Sequence, residues 1–379
     1  MKIFVIDISG RNFAQYNPSL CRALQKNEKG NDIYLLSTSI KDDNPIYHAK
    51  ELIRLVPSKF AGSENTFKRA LRAVEVFINY IYIALLIAII RPNIVHMQWL
   101  PLIEVCKTEF FFIKLFKRAN NKLKVFMTVH NLYPHDTNKK ESYKKNFLYV
   151  TSILDGFFVH LNSNRDALHN EFNIPLEKIF VSYHGIYQHE FIHNHTGKAD
   201  EKIKIVLYGL QKWYKGADIH INALKLLPTE VLVKCSTTIV GLTEPDLYEK
   251  FSKDASRLNV TWINEYVSDD ELNHIIDDST LILLPYREIS QSGVLLLALS
   301  YMKPILTSNL DSFKETLEGY PNDYFFESEN AQSLANLLKR FILGYIDVER
   351  QIQIIKNLNK KYSWEETAKS TYDAYNKMI

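Results

Sequence analysis

The chain has few cysteines, and the three that it has form no recognisable pattern. Cys21, Cys106 and Cys235 are widely separated, so their spacing matches no metal-binding motif. Any disulfide pairing would leave one of them unpaired. The cysteines therefore argue against a disulfide scaffold and indicate a reducing compartment, so we expect a cytoplasmic protein.

The sequence also lacks the motifs that usually hold nucleotides or metal-bound phosphates. No Gly-x-Gly-x-x-Gly follows the first predicted strand, where "DISGRNFAQY" stands instead, which disfavours a classical dinucleotide-binding fold. No Walker motif is present, which disfavours nucleotide hydrolysis, and no Asp-x-Asp triplet offers carboxylates to a metal ion. We therefore expect no metal and no cofactor. The charge of a bound diphosphate must then be met by cationic side chains and backbone amides.

The overall charge is small, and no long apolar leader is evident. A net charge of +3 over 379 residues argues against a nucleic-acid binder held by electrostatics. The opening "MKIFVIDISG" has the pattern of a strand and lacks the features of a signal peptide. The longest apolar run, residues 76–90, is shorter than the roughly 20 residues that span a bilayer, and it contains Asn79. We expect a buried or partly membrane-facing helix there.

Short apolar runs alternate with helical stretches along the chain, which predicts an α/β protein with doubly wound parallel sheets. The runs of the first half are "KIFVIDIS", "DIYLLST", "NIVHMQW", "KVFMTVH", "GFFVHLN" and "IFVSYHG". A polar stretch at residues 189–202 is the best linker candidate, and the pattern restarts after it. We predict an N-terminal domain at residues 1–190 and a C-terminal domain at residues 200–360, as the length also favours.

Polar residues cluster where a predicted buried strand passes into a predicted buried helix, in "PYREISQSGVLLLALSYMKP" at residues 285–304. The preceding "STLILLPYR" is typical of a central parallel strand, and the helix can start with Ser292 as its N-cap. Backbone N–H groups and the helix dipole favour an anion at such a position. The predicted phosphate-binding residues of this segment are Arg287, Ser290, Gln291, Ser292 and Gly293.

Five motifs occur in order along nearly the whole chain. They are "TVHNLYPHD" (128–136), "VSYHGIY" (181–187), "YGLQKWYKGADIHINAL" (208–224), "LPYREISQSGVLLLALSYMKP" (284–304) and "YSWEETAKSTYDAY" (362–375). Together they resemble the motifs of GT-B glycosyltransferases of the family-4-like branch, which builds bacterial exopolysaccharides and O-antigens. The resemblance implies two Rossmann-like domains, an N-terminal one for the acceptor and a C-terminal one for a nucleotide-sugar donor. It also implies a final helix, residues 361–379, that packs back on the first domain.

The resemblance further implies that the loop after the first strand of the second domain holds the donor diphosphate. Gly209, Lys212 and Lys215 stand in this loop, and Leu210 replaces the arginine that many members carry directly after the glycine. A second departure is Leu297, which occupies the place of the glutamate that contacts the ribose in the family. These departures leave the nucleotide, the sugar and the stereochemistry of transfer open.

A His-Gly turn in the second motif resembles the one that lies near the donor in the family. We expect His184 to contact the donor or to pack, and Gly185 to supply an unusual backbone angle. In the last motif, Trp364 is expected to anchor packing.

Transfer of a sugar with inversion needs a base within hydrogen-bonding distance of the acceptor hydroxyl. Asp136 is the candidate base, and His130 and His135 are its competitors in the same loop. The residues expected on the acceptor side, in part by analogy with the family's first-strand loop, are Gly10, Arg11, Tyr16, Asn17 and Asn131.

A mixture of aromatic and cationic residues in "KTEFFFIKLFKRANNKLK", residues 107–124, is typical of a helix at a membrane interface. An ordinary amphipathic helix packed on its own sheet has the same pattern. In the first case the acceptor domain would contact the inner leaflet, within reach of a lipid-linked glycan.

These observations predict a metal-independent glycosyltransferase that moves a hexose from a UDP- or GDP-sugar to a lipid-linked oligosaccharide in bacterial surface polysaccharide synthesis. Two alternatives stay open. One is a nucleotide-sugar epimerase on the same fold. The other is a catalytically silent glycan-binding or scaffold subunit, which the absence of the ribose-contacting glutamate at Leu297 suggests.

Overall fold

The structure is a computed structural model, and it describes residues 1–9, 15–55, 66–133, 140–187 and 202–379. The chain divides into two compact units. Unit 1 comprises Met1–Gly185 together with Tyr362–Ile379, and unit 2 comprises Ile186–Lys361. The predicted linker at 189–202 lies outside the described residues except for Lys202.

Unit 1 contains a sheet of seven parallel strands in the order β3-β2-β1-β4-β5-β6-β7. The strands are β1 (Lys2–Asp7), β2 (Asp32–Ser37), β3 (His48–Glu51), β4 (Ile94–Met97), β5 (Lys124–Thr128), β6 (Gly156–Val159) and β7 (Ile179–Val181). Six of them are the apolar runs that the sequence predicted. The edge strand β3 was missed because its four residues, His-Ala-Lys-Glu, are all exposed and carry no apolar alternation.

Helices cover both faces of this sheet. They are α1 (Tyr16–Asn27), α2 (Thr66–Ile90), α3 (Thr108–Ala119), α4 (Lys140–Thr151), α5 (Asn162–Phe172) and, from the end of the chain, the last helix (Trp364–Met378). One core joins the sheet to α2, α3, α4 and α5. The other joins the opposite face to α1 and the last helix, so the C-terminal helix packs on unit 1 as the sequence predicted.

Unit 2 repeats the plan with six parallel strands in the order β10-β9-β8-β11-β12-β13. The strands are β8 (Ile203–Tyr208), β9 (Cys235–Val240), β10 (Val260–Ile263), β11 (Leu281–Leu284), β12 (Ile305–Ser308) and β13 (Phe325–Phe326). The helices are α6 (Ala217–Lys225), α7 (Thr229–Leu232), α8 (Pro245–Ser256), α9 (Asp269–Asp278), α10 (Gly293–Ser300), α11 (Asp311–Thr316), α12 (Ala331–Ile342) and α13 (Val348–Lys361); the last helix of unit 1 is therefore α14.

The predicted α/β class with two Rossmann-like parallel sheets is confirmed. In a parallel sheet, the loops that follow the strands meet at the carboxyl edge, where ligands of this kind of fold bind. In unit 2 this edge gathers the loops after β8, β9 and β11. In unit 1 it gathers the ends of β1, β4, β5, β6 and β7. The candidate site of each unit therefore lies at the carboxyl edge of its sheet.

Candidate functional site

In unit 2, the loop between β8 and α6 turns sharply back over the end of its own strand. We call residues 209–216 the lysine loop. Gly209 and Gly216 both have positive φ angles, 88° and 72°, which favour glycine. A methyl group built on Gly216 would lie 1.9 Å from the carbonyl oxygen of Pro285, so the loop passes directly over the end of β11. The glycines therefore hold the lysine loop against the start of the polar segment 285–293.

Lys215 places a buried cation above this turn. The residue is only 6% exposed, and its Nζ would lie 3.1 Å from a methyl group built on Gly209. No carboxylate lies within salt-bridge distance of Lys215 among the described residues, and Nζ is 5.5 Å from the centre of the Tyr286 ring. Burial, and secondarily the nearby Lys212, lowers the pKa of Lys215 to about 8. At neutral pH the side chain is still largely protonated, and none of the described residues supplies a counter-charge.

The start of α10 lies beside this cation. Ser292 is the N-cap, and its hydroxyl accepts a hydrogen bond from the N–H of Leu295 at 3.1 Å, as the sequence predicted. The N–H groups of Gly293 and Val294 have no acceptor in the part of the chain that the structure describes. The Val294 side chain would lie 3.5 Å from the same methyl group on Gly209. A cation and a helix N-terminus therefore meet above Gly209, which is the arrangement that binds a phosphate.

Arg287 is not a free cation, because it is paired with Asp218, and its predicted contact with the diphosphate stays a prediction. Its guanidinium forms two hydrogen bonds to the Asp218 carboxylate, at 2.7 and 2.9 Å, and a third to the carbonyl of Trp213 at 2.6 Å. The side chains of the pair are only 14% and 6% exposed. The Arg287 N–H also donates to the carbonyl of Tyr214 at 2.7 Å. Arg287 therefore positions the lysine loop.

The remaining predicted donor residues lie around the same loop ends. Lys212, Ser290 and Gln291 are half-buried at the carboxyl edge of unit 2. The chain after β11 is fixed by Ser312, whose hydroxyl donates to the carbonyl of Ile289 at 2.8 Å. The contacts of Lys212, Ser290 and Gln291 with a donor stay predictions.

In unit 1, a chain of hydrogen bonds crosses the ends of β4, β5, β6 and β7. His160 Nδ1 lies 2.8 Å from the carbonyl oxygen of Ser182 and must donate to it, so His160 Nε2 is an acceptor. His130 Nδ1 lies 3.1 Å from this atom and is therefore the donor. His130 Nε2 must then accept, and it lies 3.2 Å from the side-chain amide of Gln98. Turning this amide so that its N–H donates also satisfies the Gln98 Nε2, which otherwise has no partner among the described residues.

These histidines are neutral at physiological pH. Burial and then the neighbouring histidines lower the pKa of His130 well below its ordinary value, and burial lowers that of His160 to about 4. Burial, with a contribution from His160, also lowers the pKa of His96 and of His184 to about 3. His130 is thus an oriented, uncharged side chain, suited to hydrogen bonding with a hydroxyl. Its role as a base stays a prediction, and the competing Asp136 and His135 lie outside the described residues.

Tyr16 and Asn17 lie below the surface, which corrects their predicted contact with the acceptor. Tyr16 is 4% exposed, and its ring packs against those of His130, His184 and Trp364 at 4.8–5.3 Å. Asn17 is 1% exposed and donates from Nδ2 to the buried Asp7 carboxylate at 3.0 Å. Both residues therefore support the edge from beneath. Gly10 and Arg11 lie outside the described residues, and Asn131 is half-buried after β5.

Glycine is required at position 185 because there is no space for a side chain, and not because of its backbone angle. The φ of Gly185 is not in the left-handed region, contrary to our expectation. A methyl group built on Gly185 would instead lie 2.3 Å from the indole of Trp364, so only glycine fits beneath this ring. Trp364 is the packing anchor that the sequence predicted. His184 donates from Nδ1 to the carbonyl of Gly185 at 2.7 Å, and its contact with a donor stays a prediction.

Three residues of these edges were missed from the sequence. His160 follows β6 as His130 follows β5, and this parallel could have indicated it. Asp218 follows the lysine loop by two residues, but nothing in the sequence shows that it pairs with Arg287. Gln98 has no local signal. Among the described residues, no group of three or more His, Cys, Asp or Glu side chains is placed to hold a metal ion.

Residues 188–361 match the family model described as glycosyl transferases group 1. A curated relative, an uncharacterized glycosyltransferase of Methanocaldococcus jannaschii, is 22% identical over 219 residues, which cover 54% of this chain and 55% of the relative. The chain thus matches about half the length of that relative.

Solved structures resemble the whole chain in fold. A glycosyltransferase from Rickettsia africae has a TM-score of 0.70 at 14% identity and covers 100% of this chain and 98% of its own. HepE of Anabaena in complex with UDP has a TM-score of 0.67 at 11% identity, and the lipopolysaccharide outer core galactosyltransferase WaaB has 0.64 at 15%; each covers 100% of both chains. The fold of this chain is therefore that of the GT-B glycosyltransferases.

Proposed function

We propose that this chain, whose residues 188–361 form a glycosyl transferases group 1 domain, transfers a hexose from a nucleoside diphosphate sugar without a metal ion. The observation that carries the proposal is Lys215, which is buried beside the N-terminus of α10 and has no carboxylate partner in the described part of the chain. A buried cation without a counter-charge is costly, and a bound diphosphate would supply that counter-charge.

The chemistry required of unit 2 is stabilisation of the leaving diphosphate. As the bond between the sugar and the diphosphate breaks, negative charge grows on the phosphate oxygen that leaves. Lys215 Nζ and the N–H groups of Gly293 and Val294 provide fixed donors for that charge. The Asp218–Arg287 pair holds the loop that carries Lys215, so these donors need little reorganisation during the reaction.

The nucleotide is proposed to be a uridine or guanosine diphosphate. The complex of HepE with UDP supports a uridine donor for this fold. Leu297 is half-buried on α10 where the family carries its ribose-binding glutamate, so ribose contacts must come from other groups.

The acceptor is proposed to be a lipid-linked oligosaccharide in bacterial surface polysaccharide synthesis. The galactosyltransferase WaaB, which acts in the outer core of lipopolysaccharide, has this fold and supports the proposal. In unit 1, neutral His130 would bind a sugar hydroxyl, and Asp136 would take the proton from the attacking hydroxyl if configuration inverts. Peripheral attachment to the inner leaflet would bring such an acceptor within reach of a cytoplasmic enzyme.

The first experiment is calorimetric titration of the full chain with UDP, GDP and TDP. We expect one nucleotide to bind, and Lys215→Ala to weaken its binding by about a hundredfold or more because a charged hydrogen bond to phosphate is lost. Lys225→Ala is the matched control, since Lys225 is exposed in the same unit and pairs with Asp254. Absence of binding for all three nucleotides would contradict the proposed donor site and favour a catalytically silent scaffold.

The second experiment follows nucleotide release from the preferred nucleotide sugar, with and without lipid-linked glycan. A transferase releases nucleoside diphosphate faster when the acceptor is present, and the rate falls in Lys215→Ala. Conversion of the donor sugar without acceptor would identify an epimerase and contradict the transferase.

A further inference from the structure

Helix α2 in unit 1 presents an outward-facing stripe that is entirely apolar. Between Arg72 and Arg91 all residues are described, and every exposed side chain is an alanine or a large apolar residue. These residues are Ala73, Val74, Phe77, Ile78, Ile81, Leu85, Ala88 and Ile89, and Ile89 is 78% exposed. Among the described residues, Ala70–Ile90 is the one stretch long and apolar enough to cross a membrane.

The polar residues between Arg72 and Tyr80, Glu75 and Asn79, face the protein interior. The buried carboxylate of Glu75 accepts a hydrogen bond from the N–H of Leu55 at 2.7 Å. The buried amide of Asn79 bonds to both backbone groups of Ile53, at 2.8 and 2.9 Å. A helix at a water-exposed surface has the opposite arrangement, with its polar side chains outward. The outer face of α2 therefore lacks the polar side chains of a helix surface that faces water.

The apolar stripe continues onto the two neighbouring helices. Helix α3 packs beside α2, and α4 packs beside α3. Phe111, Leu115, Leu148 and Tyr149 are exposed on these helices at 40–67%. We call the outer surfaces of α2, α3 and α4 together the apolar face. A contiguous exposed apolar surface of this kind marks an interaction site.

The charges around this surface are mostly positive. Residues 66–124 contain ten lysines and arginines and three glutamates, although the whole chain has a net charge of only +3. Two of these cations, Lys117 and Lys124, are paired with Asp155. Glu75 and Glu109 are buried, and burial raises the pKa of Glu109 to about 8, so it is neutral at physiological pH. Lys114 and Arg118 are exposed between the apolar residues of α3. The surface therefore offers apolar side chains and cations together.

We propose that the apolar face of unit 1 binds an anionic lipid bilayer, with α2 lying in the membrane interface and not across it. The inner side of α2 is committed to the protein, because Tyr80, Ile83 and Ile87 are completely buried in the core. The helix is 25 residues long, about 37 Å, and lies along the sheet, so its exposed stripe can enter the headgroup and upper acyl region. The surrounding cations then meet anionic headgroups.

A second copy of this chain would be a poorer partner for the same surface. In a two-fold dimer the same patch faces itself, so Lys114, Arg118 and the other cations of one copy would meet those of the other. An anionic bilayer has the complementary charge. The charge pattern therefore favours lipid.

The test is flotation of the full chain with vesicles of phosphatidylcholine alone or mixed with phosphatidylglycerol, without any sugar nucleotide. We expect binding to the mixed vesicles. Phe77→Gln with Leu85→Gln should reduce it at least tenfold, since neither side chain then transfers apolar surface from water into lipid. The matched control is Leu226→Gln with Val233→Gln, because these unit 2 residues are 48% and 52% exposed and Phe77 and Leu85 are 50% and 57% exposed. The control should bind as the wild type does.

A second pair of substitutions tests the electrostatic contribution to vesicle binding. Lys114→Gln with Arg118→Gln should lower binding to the mixed vesicles by about tenfold or more, and salt should lower wild-type binding in the same way. Circular dichroism and analytical ultracentrifugation establish folding and oligomeric state.

Failure of the wild type to bind the mixed vesicles would overturn the proposal. So would a wild-type dimer that Phe77→Gln with Leu85→Gln converts to monomer without any change in vesicle binding. Because neither measurement uses a sugar nucleotide, both outcomes are independent of the proposed transferase activity.

Discussion

The carboxyl edges of the two sheets both carry buried basic side chains, but these side chains differ in charge at neutral pH. Unit 1 places His130 and His160 at its edge, and unit 2 places Lys215 at its edge. Burial lowers the pKa in both units, to about 4 for His160 and about 8 for Lys215. The ordinary pKa of histidine is near 6.5 and that of lysine near 10.5, so the same effect makes the histidine neutral and leaves the lysine charged at pH 7. One edge is therefore suited to uncharged hydroxyls and the other to phosphate.

The largest expected effect is a loss of stability in acid that is greater in unit 1 than in unit 2. His96, His130, His160 and His184 have folded pKa values below the unfolded value of about 6.5, so the unfolded chain binds protons first as the pH falls. Their stabilising contribution is complete above pH 6.5 and is lost below it. At about pH 5 the free energy of unfolding should fall by about 2 kcal/mol for each of His96, His160 and His184, with a further loss from His130. Among the described residues of unit 2, one histidine is of this kind, His220.

Hydrogen exchange at about pH 7.5 and about pH 5, corrected for intrinsic rates, measures this difference. We expect the amides of β4, β5 and β6 to lose more protection in acid than those of β8, β9 and β11. Equal losses in the two units would contradict the comparison.

The next effect concerns the pair that holds the lysine loop. Asp218→Asn removes the counter-charge of Arg287 while keeping the shape of the side chain, and both partners are largely buried. Breaking a buried pair in this way costs about 3 kcal/mol, and nucleotide binding should weaken because Lys215 is no longer held in place. Urea denaturation and calorimetry measure the two effects. Asp254→Asn breaks the exposed pair with Lys225 and should change both far less.

The third prediction compares two buried lysines of unit 2. Lys215→Met removes a charge with no counter-charge among the described residues and should raise the free energy of unfolding by up to about 3 kcal/mol while abolishing nucleotide binding. Lys303 instead donates to the carbonyls of Asp277 and Ser279, both at 2.7 Å. Burial also lowers the pKa of Lys303 to about 8, but Lys303→Met leaves these carbonyls without their donor, which costs about 2 kcal/mol and offsets most of the gain. Thermal or urea unfolding should therefore show a clearly larger stabilisation for Lys215→Met than for Lys303→Met, and an equal or smaller one would refute a functional burial of Lys215.

The smallest effect concerns the helix start. Ser292→Ala removes the hydroxyl that caps α10 and should cost about 1 kcal/mol of stability. Nucleotide binding should weaken only a few-fold if the backbone N–H groups carry the contact. Ser292→Thr, which keeps the hydroxyl, is the control, and an unchanged stability in Ser292→Ala would mean that the cap is unimportant.

The fold could be predicted largely because its strands are buried on both faces. Runs such as "LILLPY" and "KIVLYG" need no partner to be identified, since continuous apolar residues followed by turn formers indicate a central parallel strand. The edge strand β3 is stabilised by backbone pairing with β2, and its exposed side chains carry no signal.

The site was predicted less well, because the role of a polar residue depends on partners distant in sequence. Lys215 and Ser292 could be assigned locally, one from its glycine-bounded loop and the other from the helix that it caps. Arg287 could not, because its partner Asp218 is 69 residues away. Tyr16 and Asn17 were expected to line the acceptor side of the loop after β1, but they begin α1 and turn inward.

The helix that closes unit 1 also determines when that unit can form during synthesis. The Tyr375 hydroxyl of α14 is hydrogen-bonded to His96 Nδ1 at 2.6 Å. Helix α14 also covers sheet residues such as Ile3, Val5 and Phe126. These residues leave the ribosome long before α14 is translated, whereas unit 2 is one continuous segment. We expect the second unit to reach its native state first on the nascent chain. One side of the sheet of the first unit should stay uncovered, and dependent on chaperones, until α14 has been translated.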